Sequence, residues 1–424
     1  MSSAESTSQE MPDASAKRMA TLYRQHVNSG WAKIITLLGG HVETRACGNY
    51  VYDETGERFL DCGGFGVFMV GHRHPKIIEA VRAQLDVQPL PNRLFFSPAV
   101  AEAAEALAII APDGMEYVYF TTSGSEAVET AIKLGRMHGC RQLITAEGGF
   151  HGKTMGAVSI AGSGLYSDPF VPLLPHVHKV PFGDSASLDA QLRVADEKCC
   201  VVLEPIQGEA GVVVPPGGYL AEVRRLCDNH GAFLVIDEIQ TGLGRCGDWW
   251  AVTSDDITPD VLLTGKALSG GVIPVSAVVA TPDAFAPLNR DPFLNSTTFS
   301  NNQLGASAAT ATLHLIEEDQ LIEHARTLAR RLVGVLRDAI NSTCAEIVVD
   351  VRAAGLMMAV EFTEPHIAGD CFLELLEHHV IANITFGGKR VCRLTPSAYL
   401  GEQEIRWLGD AFHAVGTEMA KRYY

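Results

Sequence analysis

Apolar and polar positions follow three different rhythms along this chain. From about Pro75, six apolar runs of strand length (YVYFTT, RQLITA, CCVVLEP, AFLVIDE, DVLLTG and VSAVVAT) alternate with stretches of helical period such as AVETAIKLGRMHG. Short apolar runs bounded by turn residues are strands buried on both faces, and strands alternating with helices build a mainly parallel sheet. From about Gln303, in QLGASAATATLHLIEE and LIEHARTLARRLVGVLRDAI, apolar residues recur every three or four positions, which predicts long helices. Ahead of Pro75, a helical stretch around Met19 to Gly30 precedes HVETRACGNYVYDETGERFLDC, a strand-turn-strand with its turn at Asp53-Glu54-Thr55-Gly56. Short strands in IVVDVRAAGLMMAVEF and a helix near Glu402 to Arg422 end the chain. The fold class is therefore α/β: a large domain with a mainly parallel central sheet, and a small α+β domain built from both chain ends. The expected boundaries are a mobile tail over 1–20, the N-terminal part of the small domain over 21–75, the large domain over 76–315, and the C-terminal part of the small domain over 316–424.

Composition narrows the function classes. A hydrophobic fraction of 47% and a charged fraction of 20% are those of a globular protein. The net charge of −17 argues against nucleic acid and against an anionic membrane as partners. It leaves the substrate open, because a basic pocket can sit within an acidic surface. No apolar run is long enough to span a bilayer, and the polar start MSSAESTSQEMPDASAK lacks the core of a secretion signal. Ten scattered cysteines without a CxxC pair suit buried thiols in a reducing compartment, so a cytoplasmic protein is expected.

In such sheets ligands bind beyond the carboxyl ends of the strands, so chemistry is sought just after each run. After YVYFTT come Gly124 and Ser125 at a helix start, where backbone N–H groups can hold a phosphate; taken alone, a plain helix cap is the commoner reading of such a segment. After RQLITA, Phe150 and His151 lie in a glycine-rich loop where an aromatic can stack on a flat ring, or simply pack in a turn. After AFLVI comes Asp237, expensive to bury unless it meets a positive charge. A protonated pyridine nitrogen would supply that charge. After DVLLT comes Lys266, which desolvation would turn toward the neutral amine that Schiff-base formation requires. A lysine snorkelling to solvent is the plainer alternative. It loses ground because Asp237 ends the preceding strand run. Gly242 to Gly247 match GxGxxG, but the acidic residue falls before the first glycine and the context is wrong for a dinucleotide. His72 and His74 fit a turn before a helix, and no metal is expected.

The stretches SGSEAVETAIKLGR, GGFHGKTMGA, EPIQGEAGVVVPPGGYL, VIDEIQTGLGR, LLTGKALSGG and STTF occur in that order. Together they resemble the class III (ω-) aminotransferases of pyridoxal-phosphate fold type I, from about Gly48 to Arg422. The resemblance implies pyridoxal 5'-phosphate as cofactor, carried by Lys266, which also shuttles the proton, with Asp237 on the pyridine nitrogen. It further implies Phe150 stacked on the ring with His151 beside it, Gly124 and Ser125 on the phosphate, Gln240 near the ring hydroxyl, and Glu204 and Glu209 lining the site. Thr298 would reach the phosphate of the neighbouring subunit, which implies a homodimer with a shared site. Arg393 would grip a substrate carboxylate, and a glutamate at the position of Glu209 can pair with it. The implied reaction moves an amino group from a terminal amine or ω-amino donor to a keto acid such as 2-oxoglutarate or pyruvate. HVNSGW, DCGGFGVFMVGHRHP and PFVPLLPHVHKVPFGD are most similar to putrescine aminotransferases. Lys153 stands where ornithine and GABA enzymes carry an arginine, and Phe65 where ornithine enzymes carry a tyrosine. Both favour a donor without a distal carboxylate. Ser300-Asn301-Asn302-Gln303 and Arg393-Leu394-Thr395-Pro396 depart from the family pattern near the substrate mouth. A larger biosynthetic amine and aldehyde pair also fits. Decarboxylation or aminomutation on the same cofactor is the alternative chemistry, and an inactive binding protein the alternative class, which the presence of both Lys266 and Asp237 disfavours.

Overall fold

A computed structural model describes residues 12–92, 94–162, 164–385 and 387–423. The central sheet has seven strands, in spatial order Tyr117–Thr121, Ser276–Ala280, Val261–Thr264, Phe233–Asp237, Cys199–Leu203, Gln142–Ala146 and Val177–Val180. Neighbours run parallel except around Ser276–Ala280, which is antiparallel to both of its partners. All six expected runs are strands. The seventh, Val177–Val180, sits at the edge, where its His178 and Lys179 need no burial on both faces.

Side-chain alternation divides the sheet between two cores. Val201, Leu203, Leu234, Ile236 and Leu262 point into one, shared with Val223 and Leu226 of the helix Tyr219–His230. Cys200, Val202, Val235, Val261 and Leu263 point into the other, covered by the helix Gly124–Met137 through Ala127, Val128, Ala131 and Leu134. Each fully buried Val, Leu or Ile contributes about 1.5–3 kcal/mol relative to exposure. This two-sided burial is why the strands read as unbroken apolar runs.

Two four-stranded sheets lie outside this sandwich. The first pairs Arg45–Cys47, Tyr50–Tyr52 and Arg58–Asp61 antiparallel and adds Val380–Ile381 in parallel. The second is antiparallel, in the order Val348–Ala354, Met357–Phe362, Val391–Leu394 and Asn383–Ile384. Leu60 faces Val380 across a ladder, so a strand near the start of the chain pairs with one near its end.

The N-terminal helical region differs from expectation. Residues 1–11 of the expected tail lie outside the described residues, whereas Pro12–Leu22 is already helical. A π-helical turn over Tyr23–Val27 follows, and then the helix Ser29–Leu37. The break falls at Asn28, whose side chain accepts a hydrogen bond from the Trp31 N–H at 3.0 Å, as an N-cap does. The expected helix around Met19 to Gly30 thus merges the end of one helix with the start of another.

Candidate active site

The carboxyl ends of five central strands converge on a cavity of about 200 Å³, lined by Ser123, Gly124, Ser125, Phe150, His151, Gly152, Glu204, Glu209, Asp237, Ile239, Gln240, Thr241 and Lys266. Strand pairing sets Asp237 opposite Leu263, three residues before Lys266, so the acid and the amine share one edge.

Asp237 is buried at the end of its strand. Its Oδ2 lies 2.8 Å from Nδ1 of the equally buried His151, and its Oδ1 accepts the Ile239 N–H at 3.1 Å. Burial alone would lower the His151 pKa, but the hydrogen bond to Asp237 and the charges of Asp237 and Glu204 raise it above the usual value. His151 therefore donates from Nδ1 and holds the carboxylate in place.

Glu204 leaves the next strand and accepts the Phe150 N–H at 2.9 Å, which fixes the loop that carries the aromatic ring. Burial pushes its carboxyl up to about 7; His151 opposes the shift and Asp237 adds to it. Unfolded, such a group loses its proton near 4.5, so the fold gives up stability as pH rises between those values. Glu204→Gln removes that dependence. The cofactor-free variant is expected to gain about 3 kcal/mol on the wild type between the acidic and alkaline sides of this window. Denaturant unfolding on both sides measures it, and an identical difference at both pH values would refute the assignment. Glu238, also pushed to about 7 by burial, leaves the variant a residual slope.

Lys266 follows its strand at φ 43°, a left-handed conformation that costs a non-glycine residue about 1–2 kcal/mol. Burial, with Arg393 adding, lowers its pKa below the usual 10.5, against the charges of Glu209, Asp237 and Glu204. The amine is thereby moved toward its neutral, nucleophilic form.

The other end of the cavity is the first turn of the helix Gly124–Met137, capped by Ser123, whose Oγ accepts the Glu126 N–H at 3.3 Å. Backbone N–H groups in a first turn have no carbonyl inside the helix and suit an anion. A Cβ on Gly124 would stand 2.9 Å from Ile239 Cδ1, and one on Gly152 (φ +120°) would stand 2.1 Å from Ser125 Oγ, so both glycines keep this end open. A flat ring with a basic nitrogen, a carbonyl and a phosphate fits this set: acid at one end, anion cradle at the other, amine between.

Arg393, on the strand Val391–Leu394, is fully buried, and its Nη1 lies 2.7 Å from Glu209 Oε1. This is a charge contact only, since no guanidinium N–H reaches an acceptor in hydrogen-bond geometry among the described residues. Glu209 is turned back over the cavity by a loop closed between Gln207 and Val213, with N–H to carbonyl distances of 3.0 Å in both directions. Gln240 lines the cavity, and its Nε2 donates to the Phe65 carbonyl at 3.2 Å. The Phe65 ring is itself half exposed, in the turn Gly64–Gly66. Lys153 and Thr298 are exposed and stand off the cavity wall of this chain.

Sequence reading passed over Ile239, Thr241 and Gly152, which belong to the same post-strand segments and could have been found by extending each by a few residues. Tyr166 gave no signal. It lies beyond the Phe150 loop in the short helix Gly164–Ser167, yet its ring packs edge-on to Phe150 with centroids 5.1 Å apart.

Residues 39–415 match the family model for class III aminotransferases. The structure resembles an ornithine aminotransferase from Toxoplasma gondii, with a TM-score of 0.88 and 27% identity over 96% of this chain and 95% of that one. It also resembles an acetylornithine aminotransferase from Elizabethkingia anophelis, with a TM-score of 0.82 and 29% identity over 95% and 99%. An engineered thermostable omega transaminase, at 24% identity over 92% and 96% and a TM-score of 0.84, shares the fold. A buried acid and a desolvated lysine on adjoining strand ends, within a match of this extent, have one reading: the chain belongs to the class III aminotransferases, pyridoxal 5'-phosphate-dependent enzymes of fold type I.

Proposed function

We propose that the enzyme moves an amino group from a terminal amine or ω-amino donor to a keto acid such as 2-oxoglutarate or pyruvate, with putrescine the first donor to try. The carrying observation is the Arg393–Glu209 pair at 2.7 Å. Paired, the two charges cancel, and the pocket accepts a chain ending in an amine or an uncharged group. With Glu209 swung aside, the buried guanidinium becomes a bidentate anchor for a carboxylate, which removes the penalty of its unbonded N–H groups. One pocket then serves both halves of the reaction. Ornithine and acetylornithine, named for the relatives, each bear a side-chain nitrogen and a carboxylate, in line with that dual demand.

Pyridoxal 5'-phosphate, when bound, supplies the carbonyl that takes up the amino group and a ring that spreads the charge left on the substrate carbon. Lys266 Nζ holds the cofactor and carries the proton to and from the substrate carbon. Asp237 keeps the pyridine nitrogen protonated, and His151 keeps Asp237 oriented. Phe150 packs against the ring, Glu204 fixes the Phe150 loop, Gln240 lies near the ring hydroxyl, and the first-turn N–H groups of Gly124 and Ser125 hold the phosphate. Phe65 and Lys153, outside the cavity lining of this chain, would act at the substrate mouth, where neither favours a donor with a distal carboxylate.

A homodimer belongs to the same reading. Leu94, Phe95, Phe96 and Phe293 are each at least 80% exposed, apolar side chains that a partner subunit would cover. Thr298, five residues past Phe293, would then offer its hydroxyl to the partner's phosphate. No helix among the described residues is long and apolar enough to cross a membrane. A cytoplasmic location is part of the proposal, as is the division of the chain into a small lobe over 21–75 and 316–424 around the large domain.

The test is a spectrum of the purified holoenzyme through a panel of amines and amino acids, then keto acids. The visible band of the lysine-bound cofactor is expected to bleach with putrescine or another terminal amine and to return with 2-oxoglutarate or pyruvate. A band that no amine bleaches, or that bleaches with release of carbon dioxide, would overturn transamination in favour of decarboxylation.

A further inference from the structure

Tyr166 is buried, and its hydroxyl has no hydrogen-bond partner among the described residues. Its surroundings leave the ring little choice of orientation. The edge-to-face contact with Phe150 holds one side, at 66° between ring planes, and Lys153 Nζ stands 5.8 Å from the ring centroid. The Gly387 N–H lies close enough to the phenol oxygen to lower its pKa, but not in hydrogen-bond geometry. Gly387 itself sits against the Glu209 backbone, since a Cβ there would stand 2.8 Å from the Glu209 carbonyl oxygen. The phenol is thus held near the Arg393–Glu209 pair, with a proton to donate and no acceptor for it among the described residues. Burial and the charge of Glu209 push its pKa up to about 12, so it stays a donor across the working range.

We infer, on the dual-substrate reading above, that Tyr166 is the positioning residue of the acid half-reaction. Its O–H receives the Glu209 carboxylate when a substrate carboxylate takes Arg393. Without such a receiver, Glu209 leaves its cation for a buried position with no partner, which is costly. With it, the displaced carboxylate gains a hydrogen bond and a buried hydroxyl is satisfied at the same step. The amine half-reaction keeps Glu209 on Arg393 and does not call on the phenol.

Tyr166→Phe removes the hydroxyl and keeps the ring. Single-turnover rates of both half-reactions, and calorimetric binding of glutarate to the holoenzyme, are compared in wild type, Tyr166→Phe, Glu209→Gln and the double variant. The hydroxyl's loss is expected to weaken the acid half-reaction about tenfold more than the amine half-reaction, through KM more than kcat, and to weaken glutarate binding by a similar factor. In the Glu209→Gln background, which has no carboxylate to receive, the selective loss is expected to shrink to less than about twofold. Equal losses in both half-reactions would reduce Tyr166 to a packing residue and overturn the inference. A selective loss that persists in full without the Glu209 carboxylate would do so too, by showing that the phenol touches the substrate itself. A wild-type enzyme that no keto acid returns to its starting spectrum would refute the dual-substrate reading instead, and the inference with it.

Discussion

Replacing Lys266 with alanine is expected to abolish the visible band of the lysine-bound cofactor and to lower turnover by at least about 10⁴-fold. On the proposed mechanism two functions reside on one nitrogen: it would attach the cofactor, and it would carry the proton that the reaction must move between two carbons. Burial and the nearby Arg393 lower its pKa, and no other amine lines the cavity among the described residues. Folding should survive, because alanine occupies the left-handed position at φ 43° at a similar cost to lysine. Cofactor binding should survive in part. Gly124 and Ser125 still present their N–H groups, and Asp237 still lines the cavity for the ring nitrogen it is proposed to meet. The measurements are the absorbance spectrum, cofactor retention on gel filtration and turnover with the donor identified in the panel. An active variant that keeps the visible band would remove Lys266 from the site.

Asp237→Asn is expected to leave the cofactor bound and to lower turnover about 10²–10³-fold. The amide has nearly the shape of the carboxylate and can still accept the Ile239 N–H, so geometry is retained while charge is lost. Without that charge the pyridine nitrogen gives up its proton, and the ring becomes a weaker electron sink. The same substitution acts on His151, whose pKa is held up by its 2.8 Å contact with Asp237. With the carboxylate gone, burial prevails and the His151 pKa falls below its wild-type value. NMR titration of the imidazole checks that half of the argument independently of turnover. An unimpaired rate with bound cofactor would remove Asp237 from the mechanism.

Much of the architecture is legible in the sequence itself. The six apolar runs are all strands because burial on both faces demands unbroken apolar sequence, and the runs end where polar residues reach the ligand edge. Direction was not legible. VSAVVAT reads like its neighbours, yet Ser276–Ala280 runs against them, since strand direction depends on where the connection enters the sheet. The edge strand Val177–Val180 escaped notice because an edge position tolerates His178 and Lys179.

At the site, the local part came from the sequence and the convergent part from the fold. Asp237 ends a strand, and Lys266, Gly124 and Phe150 each follow one, so their placement at one edge is a matter of local chain order and of strand pairing. Arg393 and Glu209 carry opposite charges 184 residues apart in number, and family resemblance alone suggested that they meet. Their 2.7 Å contact depends on how the C-terminal sheet docks on the central one. Tyr166 shows the limit most clearly. A tyrosine in a short irregular segment has no periodicity to place it, and only the packed fold sets its ring edge-on to Phe150 and buries its hydroxyl. Hydrophobic pattern determines which residues are buried and at which strand end they emerge, because burial is a property each segment carries alone. Which emerging groups touch is a property of the packed whole, because distances between segments are set by contacts that no single segment contains.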